Sequence, residues 1–546
     1  MSETNKFINE KTQRLEAAIS KCAAQSQGGQ SLLLVSGDMS GIQPFLYQIV
    51  SSKAARNLKG RSCYLDLLGR AVVQSLLSAL SLDEDHVVCE SGGTFVLLAP
   101  NTGDTIAALD NAVRFIEKKI FETHGTALSV AIGSVAISVD EARGGTTTLA
   151  QRWSEVFAKR EVKKNAKCAS VIVAQGGYER FFEPSPVTGD QTDAITGEDI
   201  ADGGVPFGKD KDKALYVSNV NNEIFKLGEA LRNGCELDRN GKDFTIEPAG
   251  LGIPFCFKKN KDAPRVETFE KMCENEGLER LGVLRMDVDN LGSKFQEYAR
   301  TQSLAAYSAL SYELDNFFKG DVSKMCDKHE CYLLYGGGDD LFVVGEWRNV
   351  LMLAAEIQVE FKAWAAHRKG HWSLSAGVAI VKAKYPIIEG AQESGEEEDN
   401  AKSHECNGMT KNSISLMGTP LNWDKEFEAV RSLKDKMVGL LCDSESLPKS
   451  FLNKVMIHSG KAAIKNHKVT HVSIYWHLSY DIKRAIERAK NNEDVITLLE
   501  QCRADICTPG STLAGANIET NYHLLELWAL ACRWAELEFR SINENK

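Results

Sequence analysis

With 546 residues, 43% of them hydrophobic and 25% charged, the chain is too long for one core and has the balance of a globular rather than a disordered or fibrous protein. A net charge of −11 argues against bulk electrostatic wrapping of naked nucleic acid, and no run of about 18 apolar residues could span a membrane. The fourteen cysteines are scattered singly with no CxxC pair, and the start MSETNKFINEK is no leader, so a reducing, cytoplasmic setting is expected.

Residues 1–30 read as an amphipathic helix and a polar QSQGGQ linker. An internal duplication follows. The first copy, 31–180, holds SLLLVSGDMSGIQPF, VVCESGGTFVLL and SVAIGSVAIS; the second, 276–425, holds LGVLRMDVDNLGSKF, YLLYGGGDDLFVV and SLSAGVAIV. Asp38 to Gly92 is 54 residues and Asp287 to Gly337 is 50, while Gly93 to Gly133 is 40 and Gly338 to Gly377 is 39. Helical stretches separate the apolar runs: CYLDLLGRAVVQSLLSAL and TIAALDNAVRFIEKKIF in one copy, YSALSYELDNFFKG and NVLMLAAEIQVEFKAW in the other. Strand, helix, hairpin, helix, strand is the ferredoxin-like order on which polymerase and cyclase palms are built, so the expected class is α+β with two palms. The basic run Lys159–Lys167 reads as a solvated helix face before it reads as an RNA contact. Residues 181–275 form a mixed connecting segment, and 426–546 a helical domain suited to interactions.

The chemistry concentrates in the second copy. Asp287 ends one strand, and Asp339 with Asp340 follows three glycines, Gly336, Gly337 and Gly338, at a hairpin turn; adjacent palm strands would bring the carboxylates together. Hard oxygen ligands of this kind suit Mg²⁺ or Mn²⁺ in a two-metal displacement at a phosphate, and a turn without side chains lets a triphosphate approach. Asp289 and Asn290 either orient a ligand or cap the next helix, and Lys402 and Lys411 are candidates to reach a triphosphate. The first copy has Ser91, Gly92, Gly93 and Thr94 where the second has GGDD. Asp38 and Glu90 remain without the second copy's acid arrangement, leaving a companion pocket that could hold an acceptor nucleotide, or a decayed copy.

SGDMSGIQPFLYQIVSSKAARNLKGRSCYLDLL, LRMDVDNLGSKF and YGGGDDLFVVGEW strongly resemble the large subunit of type III CRISPR interference complexes, of the Csm type, over roughly residues 30–425. The resemblance implies a subunit that, within a complex carrying crRNA, responds to target RNA by converting ATP to cyclic oligoadenylate. It carries the GGDD motif onto Gly337, Gly338, Asp339 and Asp340, with Asp287 as strand partner, and places Gly92 and Gly93 in the companion pocket. Many relatives begin with an HD nuclease domain; this sequence has no His-Asp dipeptide, so no single-stranded DNA cleavage is expected of it. Relatives often carry zinc cysteines in the connecting region, where this chain has two TG turns, Thr188-Gly189 and Thr196-Gly197, and no cysteine in FFEPSPVTGDQTDAITGEDIADGG, so structural zinc is not expected.

Cys326, His329 and Cys331 are too crowded for tetrahedral zinc and read as packing and surface residues, and Glu396–Asp399 as a solvated helix start. Three rival functions remain: a diguanylate-cyclase-like enzyme, disfavoured because only one of two palms in the chain is armed; a silent scaffold; and adenylyl transfer to another metabolite.

Overall fold

The computed structural model describes residues 2–26, 31–49, 54–144, 149–182, 192–200, 204–207, 215–233, 259–260, 263–266, 268–274, 277–368, 370–406, 408–442, 447–461, 464–465, 468–469, 473–489, 492–507 and 524–544. Each copy is built on four antiparallel strands. In the first, β1 (Ser31–Ser40), β2 (Val87–Ser91), β3 (Thr94–Pro100) and β4 (Ser129–Ser138) lie in the order β2-β3-β1-β4. In the second, β5 (Arg280–Val288), β6 (Tyr332–Gly336), β7 (Asp340–Glu346) and β8 (Leu374–Lys382) repeat that order, and β9 (Ser413–Leu416) and β10 (Thr419–Asn422) extend the sheet beyond β8. The two central strands, β1 and β5, are largely apolar runs because both of their faces are covered, and their acids, Asp38 and Asp287, lie near their ends.

The copies exchange helices. The second copy's Leu304–Asn316 packs on the first copy's sheet, where Tyr307 stacks on Trp153 at 4.5 Å and the Ser308 hydroxyl donates to the Val88 carbonyl. In return Ala54–Ala79 and the segment before it reach the second sheet, with Tyr47 against Phe342 at 4.8 Å and the Lys59 ammonium 4.8 Å from the centre of the Tyr332 ring. One apolar cluster therefore runs from Leu33 and Val35 of β1 to Val283 and Phe342 of the second sheet. Burial on that scale fixes the angle between the palms and sets their glycine turns face to face.

The C-terminal helices Glu428–Cys442, Lys449–Lys461, Ser473–Arg488, Glu493–Cys507 and Leu524–Glu544 cover the far side of the second sheet, with Trp528 fully buried and donating to Asp505 at 3.1 Å. No described helix is long and apolar enough to cross a membrane. In the connecting segment Thr188-Gly189 lies outside the described residues. The Thr196-Gly197 turn is organised by buried Asp193, whose carboxylate accepts from the amides of Ile195 and Thr196 at 2.8 and 3.1 Å, the Ser218 amide at 2.8 Å and the Asn221 side chain at 2.8 Å. Burial pushes that carboxyl up, but these donors outweigh burial and hold it below its ordinary value. A buried carboxylate thus holds this turn together.

Candidate active site

The strand register decides which side chains meet. Asp340 begins β7 directly opposite Asp287 near the end of β5, and Asp339 precedes it in the turn, its carbonyl accepting from the Val288 amide at 3.0 Å. Burial, and then the charge of Asp287, pushes the Asp339 carboxyl up to about 6; burial, then Asp339 and Asp287, pushes Asp340 up to about 8. Burial also raises Asp287, against the pull of Lys402. Three carboxylates that resist ionising together are a donor set that a divalent cation would relieve, so the residues fit the expected metal. The resident answer to the repulsion is Lys402, whose ammonium lies 2.7 Å from Asp287 and 2.6 Å from Glu398. Burial pulls that ammonium down, but Asp287 and Glu398 outweigh it. Among the described residues no group of three His, Cys, Asp or Glu side chains is already gathered tightly enough to cage an ion.

The glycines have distinct reasons. Gly336 is inside β6, buried. At Gly337 a Cβ would stand 2.4 Å from the Tyr335 hydroxyl and 2.5 Å from Asp340 Oδ1. At Gly338 it would stand 2.7 Å from the Ser91 hydroxyl of the first copy. A Cβ on Gly92, whose φ is +58°, would lie 3.5 Å from the Gly338 amide. The two turns therefore meet backbone to backbone across the interface of the copies. Beside them opens a cavity of about 640 Å³, whose lining includes Asp66, Arg70, Glu90, Gly92, Gly93 and Lys319. Burial raises the Glu90 carboxyl, with Arg70 opposing.

Other expected site residues divide. Asp289 is buried and fully engaged: Ser373 and Ser375 donate to its two oxygens at 2.7 Å each, and the Asn412 amide at 3.0 Å. It positions the next turn and is not presented to a ligand. In that turn Lys411 and Asn412 both take left-handed backbone, φ +70° and +50°, a conformation costing L residues about 1–2 kcal/mol each and sustained by Asp289. The Lys411 ammonium donates to Asn290 Oδ1 at 2.7 Å, so these two stand together near the end of β5; Asn290 occupies a helix N-cap without capping through its side chain. The run Glu396–Asp399 is not a helix start. It lies in the second half of the helix Ile387–Ser403, where Glu398 is buried and bonded to Arg285 at 3.2 Å, and Glu397 accepts from the Ser415 hydroxyl and the Gly418 amide. Cys326 and Cys331 are buried in the core and His329 meets Glu356 at 2.6 Å, as packing and surface roles require.

The first copy reproduces more of the site than its motif suggests. Asp38 pairs with Thr94 in register as Asp287 pairs with Asp340, which puts Thr94 at the Asp340 position and Gly93 at that of Asp339. A Cβ on Gly133 would meet the Val156 carbonyl and the Arg160 amide, and one on Gly377 would meet the Ser394 carbonyl and the Glu398 amide. This close approach aligns the two helices residue by residue: Arg160 corresponds to Glu398 and, one turn on, Lys164 to Lys402. Lys164 is indeed ion-paired with Asp38. The basic run is thus no bare solvated face, since Arg160 is largely buried and Lys164 reaches the strand-end acid.

A family model described as Csm1 subunit domain B matches residues 31–174, and one described as the second palm domain of Cas10/Cmr2 matches 280–415. Among curated proteins, the single-strand-specific deoxyribonuclease Cas10/Csm1 (subtype III-A) of Enterococcus italicus is 30% identical over 78% of this chain and 59% of its own. Its namesake in Streptococcus thermophilus is 25% identical over 71% of this chain and 54% of its own. The chain belongs to the Cas10/Csm1 family. It spans a little over half the length of these Cas10/Csm1 relatives. A Csm1–Csm4 cassette crystallised with cA4 superposes with a TM-score of 0.60 at 22% identity, covering 86% of this chain and 69% of that one, and the apo cassette with 0.61 at 20%, covering 93% and 71%. At that identity the likeness supports the Cas10/Csm1 fold.

Proposed function

We propose that this chain is the nucleotidyl-transferring subunit of a type III CRISPR ribonucleoprotein, converting ATP to cyclic oligoadenylate when the complex, with its crRNA and partner subunits, binds target RNA. The observation that carries the reading is the convergence of Asp287, Asp339 and Asp340 on a side-chain-free turn that faces a second, acid-poor turn at Gly92 and Gly93. Solved relatives described with ATP, pppApA and cA4 support the substrate class.

Asp287, Asp339 and Asp340 would hold Mg²⁺ or Mn²⁺, which supplies Lewis acidity at the phosphates and relieves the mutual repulsion of the acids. The acceptor's ribose hydroxyl oxygen forms a new bond to the α-phosphorus of the donor ATP, the bond to pyrophosphate breaks, and the hydroxyl proton leaves to the carboxylates or solvent. Gly337 and Gly338 let the donor's phosphates lie against the backbone, and the facing copy supplies the acceptor, so that the reactants meet within one polypeptide. Lys402 must give up Asp287 as the site fills, and its ammonium is then available to the triphosphate. Lys411, anchored on Asn290, stands as a second cation at the same strand end.

The test is product analysis by mass spectrometry after incubating the guide-loaded complex with ATP, Mn²⁺ or Mg²⁺ and matching target RNA, beside an Asp339→Ala, Asp340→Ala double variant. Cyclic oligoadenylate made by the unmutated, target-bound complex and not by the variant is expected. No ATP consumption under any condition, candidate acceptor metabolites included, would leave a scaffold in its place. A single-stranded DNA substrate in parallel tests the expectation that this chain does not itself cleave DNA, an activity named for its relatives.

A further inference from the structure

We propose that Lys164 makes the first copy a metal-independent phosphate site, in which the lysine ammonium, backed by Arg160, holds the phosphates of a nucleoside triphosphate without a divalent cation. The inference rests on the reading of the chain as a nucleotidyltransferase and adds a residue and a charge logic to it.

The two copies differ in sign at matched positions. The second sets three carboxylates, Asp287, Asp339 and Asp340, against one lysine, Lys402, while Arg285 and Glu398 cancel each other at 3.2 Å. The first keeps the strand-end acid, Asp38, and its lysine, Lys164, but has Gly93 and Thr94 where the other acids stand. The Arg285–Glu398 pair is replaced by Ser36 and Arg160, with Arg160 Nη1 3.5 Å from the Ser36 hydroxyl. Arg160 Nε is buried with no hydrogen-bond partner among the described residues. Glu161, on the exposed side of the helix, is 3.3 Å from Lys164 and 3.7 Å from Arg160.

Such a site cannot concentrate a divalent cation, since it offers one strand-end carboxylate that is already answered by Lys164 and by the Thr94 hydroxyl at 2.8 Å. It can receive an anion. The Lys164 side chain keeps 29% of its surface exposed, and Asp38 can fall back on Thr94 when a phosphate takes the ammonium. The site also adjoins the other turn, because Asp38 sits opposite Thr94 at the end of the first copy's glycine turn, where a Cβ on Gly92 would lie 3.5 Å from the Gly338 amide. One nucleotide would thus be held by lysine and the other by metal, which prevents both triphosphates from competing for the same cations.

Equilibrium dialysis of the full chain against radiolabelled ATP separates the two sites. In EDTA we expect roughly one ATP per chain, rising to roughly two with Mn²⁺. Lys164→Met should weaken the EDTA-resistant ATP by about tenfold or more, while Lys164→Arg retains it, with thermal melting as a check of folding. Asp339→Asn with Asp340→Asn should remove only the Mn²⁺-dependent ATP. The double variant Lys164→Met, Asp38→Asn should stay weak. Recovery in that double variant would reduce Lys164 to a counter-ion for Asp38 and overturn the proposal, as would no ATP retained in EDTA, or retention that ignores Lys164. A chain that retains ATP through Lys164 yet makes no oligoadenylate overturns the proposed function alone. One that makes product while its EDTA-resistant ATP ignores Lys164 overturns this inference alone.

Discussion

The two palms share a backbone, a strand register and even a lysine one helical turn beyond the crossing point, yet one gathers three acids at its turn and the other keeps only the strand-end acid, Asp38. The difference lies in two adjacent positions, Asp339 and Asp340 against Gly93 and Thr94, and in the swap of Arg285 and Glu398 for Ser36 and Arg160. Duplication supplied two turns on one backbone plan. Charge then distinguishes them, and the exchanged helices keep the two at a fixed separation.

The sharpest way to break that comparison is to remove the strand-end acid from each copy. Asp287→Asn takes away a carboxylate that the proposed donor site would need, and product formation by the assembled complex should fall by about a hundredfold to a thousandfold. Asp38→Asn removes an acid whose charge Lys164 already cancels, and should cost less than about tenfold. Equal losses, read as initial rates of ATP turnover, would mean that the first pocket works as a second metal site.

A second comparison concerns packing at the matched glycines. Gly377→Ala would place a Cβ 2.2 Å from both the Glu398 amide and the Ser394 carbonyl, whereas Gly133→Ala would place one 2.9 Å from its nearest atom. Both contacts are with backbone, which cannot rotate away. Gly377→Ala should cost about 3 kcal/mol or more by denaturant unfolding, and Gly133→Ala about 1–2 kcal/mol. The reverse order would show that the first copy's helix is the more tightly seated.

The duplication, the strand order and the acids at the armed turn were legible because they rest on short-range signals: apolar runs, Gly-Gly turns and spacings that match between copies. The Lys164–Asp38 pair was not. Gly133 to Arg160 is 27 residues and Gly377 to Glu398 is 21, because the link before the first copy's helix is longer, so no constant spacing announces the correspondence. It emerges only where each helix crosses a strand glycine. Asp289 was legible as an acid beside the site, but its role was not, because Ser373, Ser375 and Asn412, which absorb its carboxylate, lie about 80 to 120 residues away. The Glu396–Asp399 run misled for a related reason: a charge cluster looks solvated until the partly buried arginine it meets, Arg285 of β5, is known.

The smallest effect, and the most direct reading of the difference in charge, is a pH dependence of stability without metal. The native Asp340 carboxyl is pushed up to about 8 by burial and its acidic neighbours, while in the unfolded chain it titrates near its ordinary value of 3.8. Below about pH 4 both states are protonated and the group adds nothing to the balance. As pH rises towards 8 the unfolded state ionises freely and the native state does not, so the wild-type chain in EDTA loses stability over that window. Asp340→Asn cannot ionise and escapes the loss. Its advantage in thermal melting should be near zero at pH 4, grow through neutrality and level off above about pH 8 at on the order of 2 kcal/mol, allowing for water at a partly exposed turn. Thr94, at the matching position of the first copy, has no such group, so Thr94→Ala should show no growth of any difference across the same range. Mn²⁺ should reverse the ranking at high pH, because it binds the ionised acids of the wild-type native state and lacks one of them in the variant. A pH-independent advantage of Asp340→Asn would mean that the acids do not repel one another in the folded protein, and the electrostatic distinction between the two copies would fail with it.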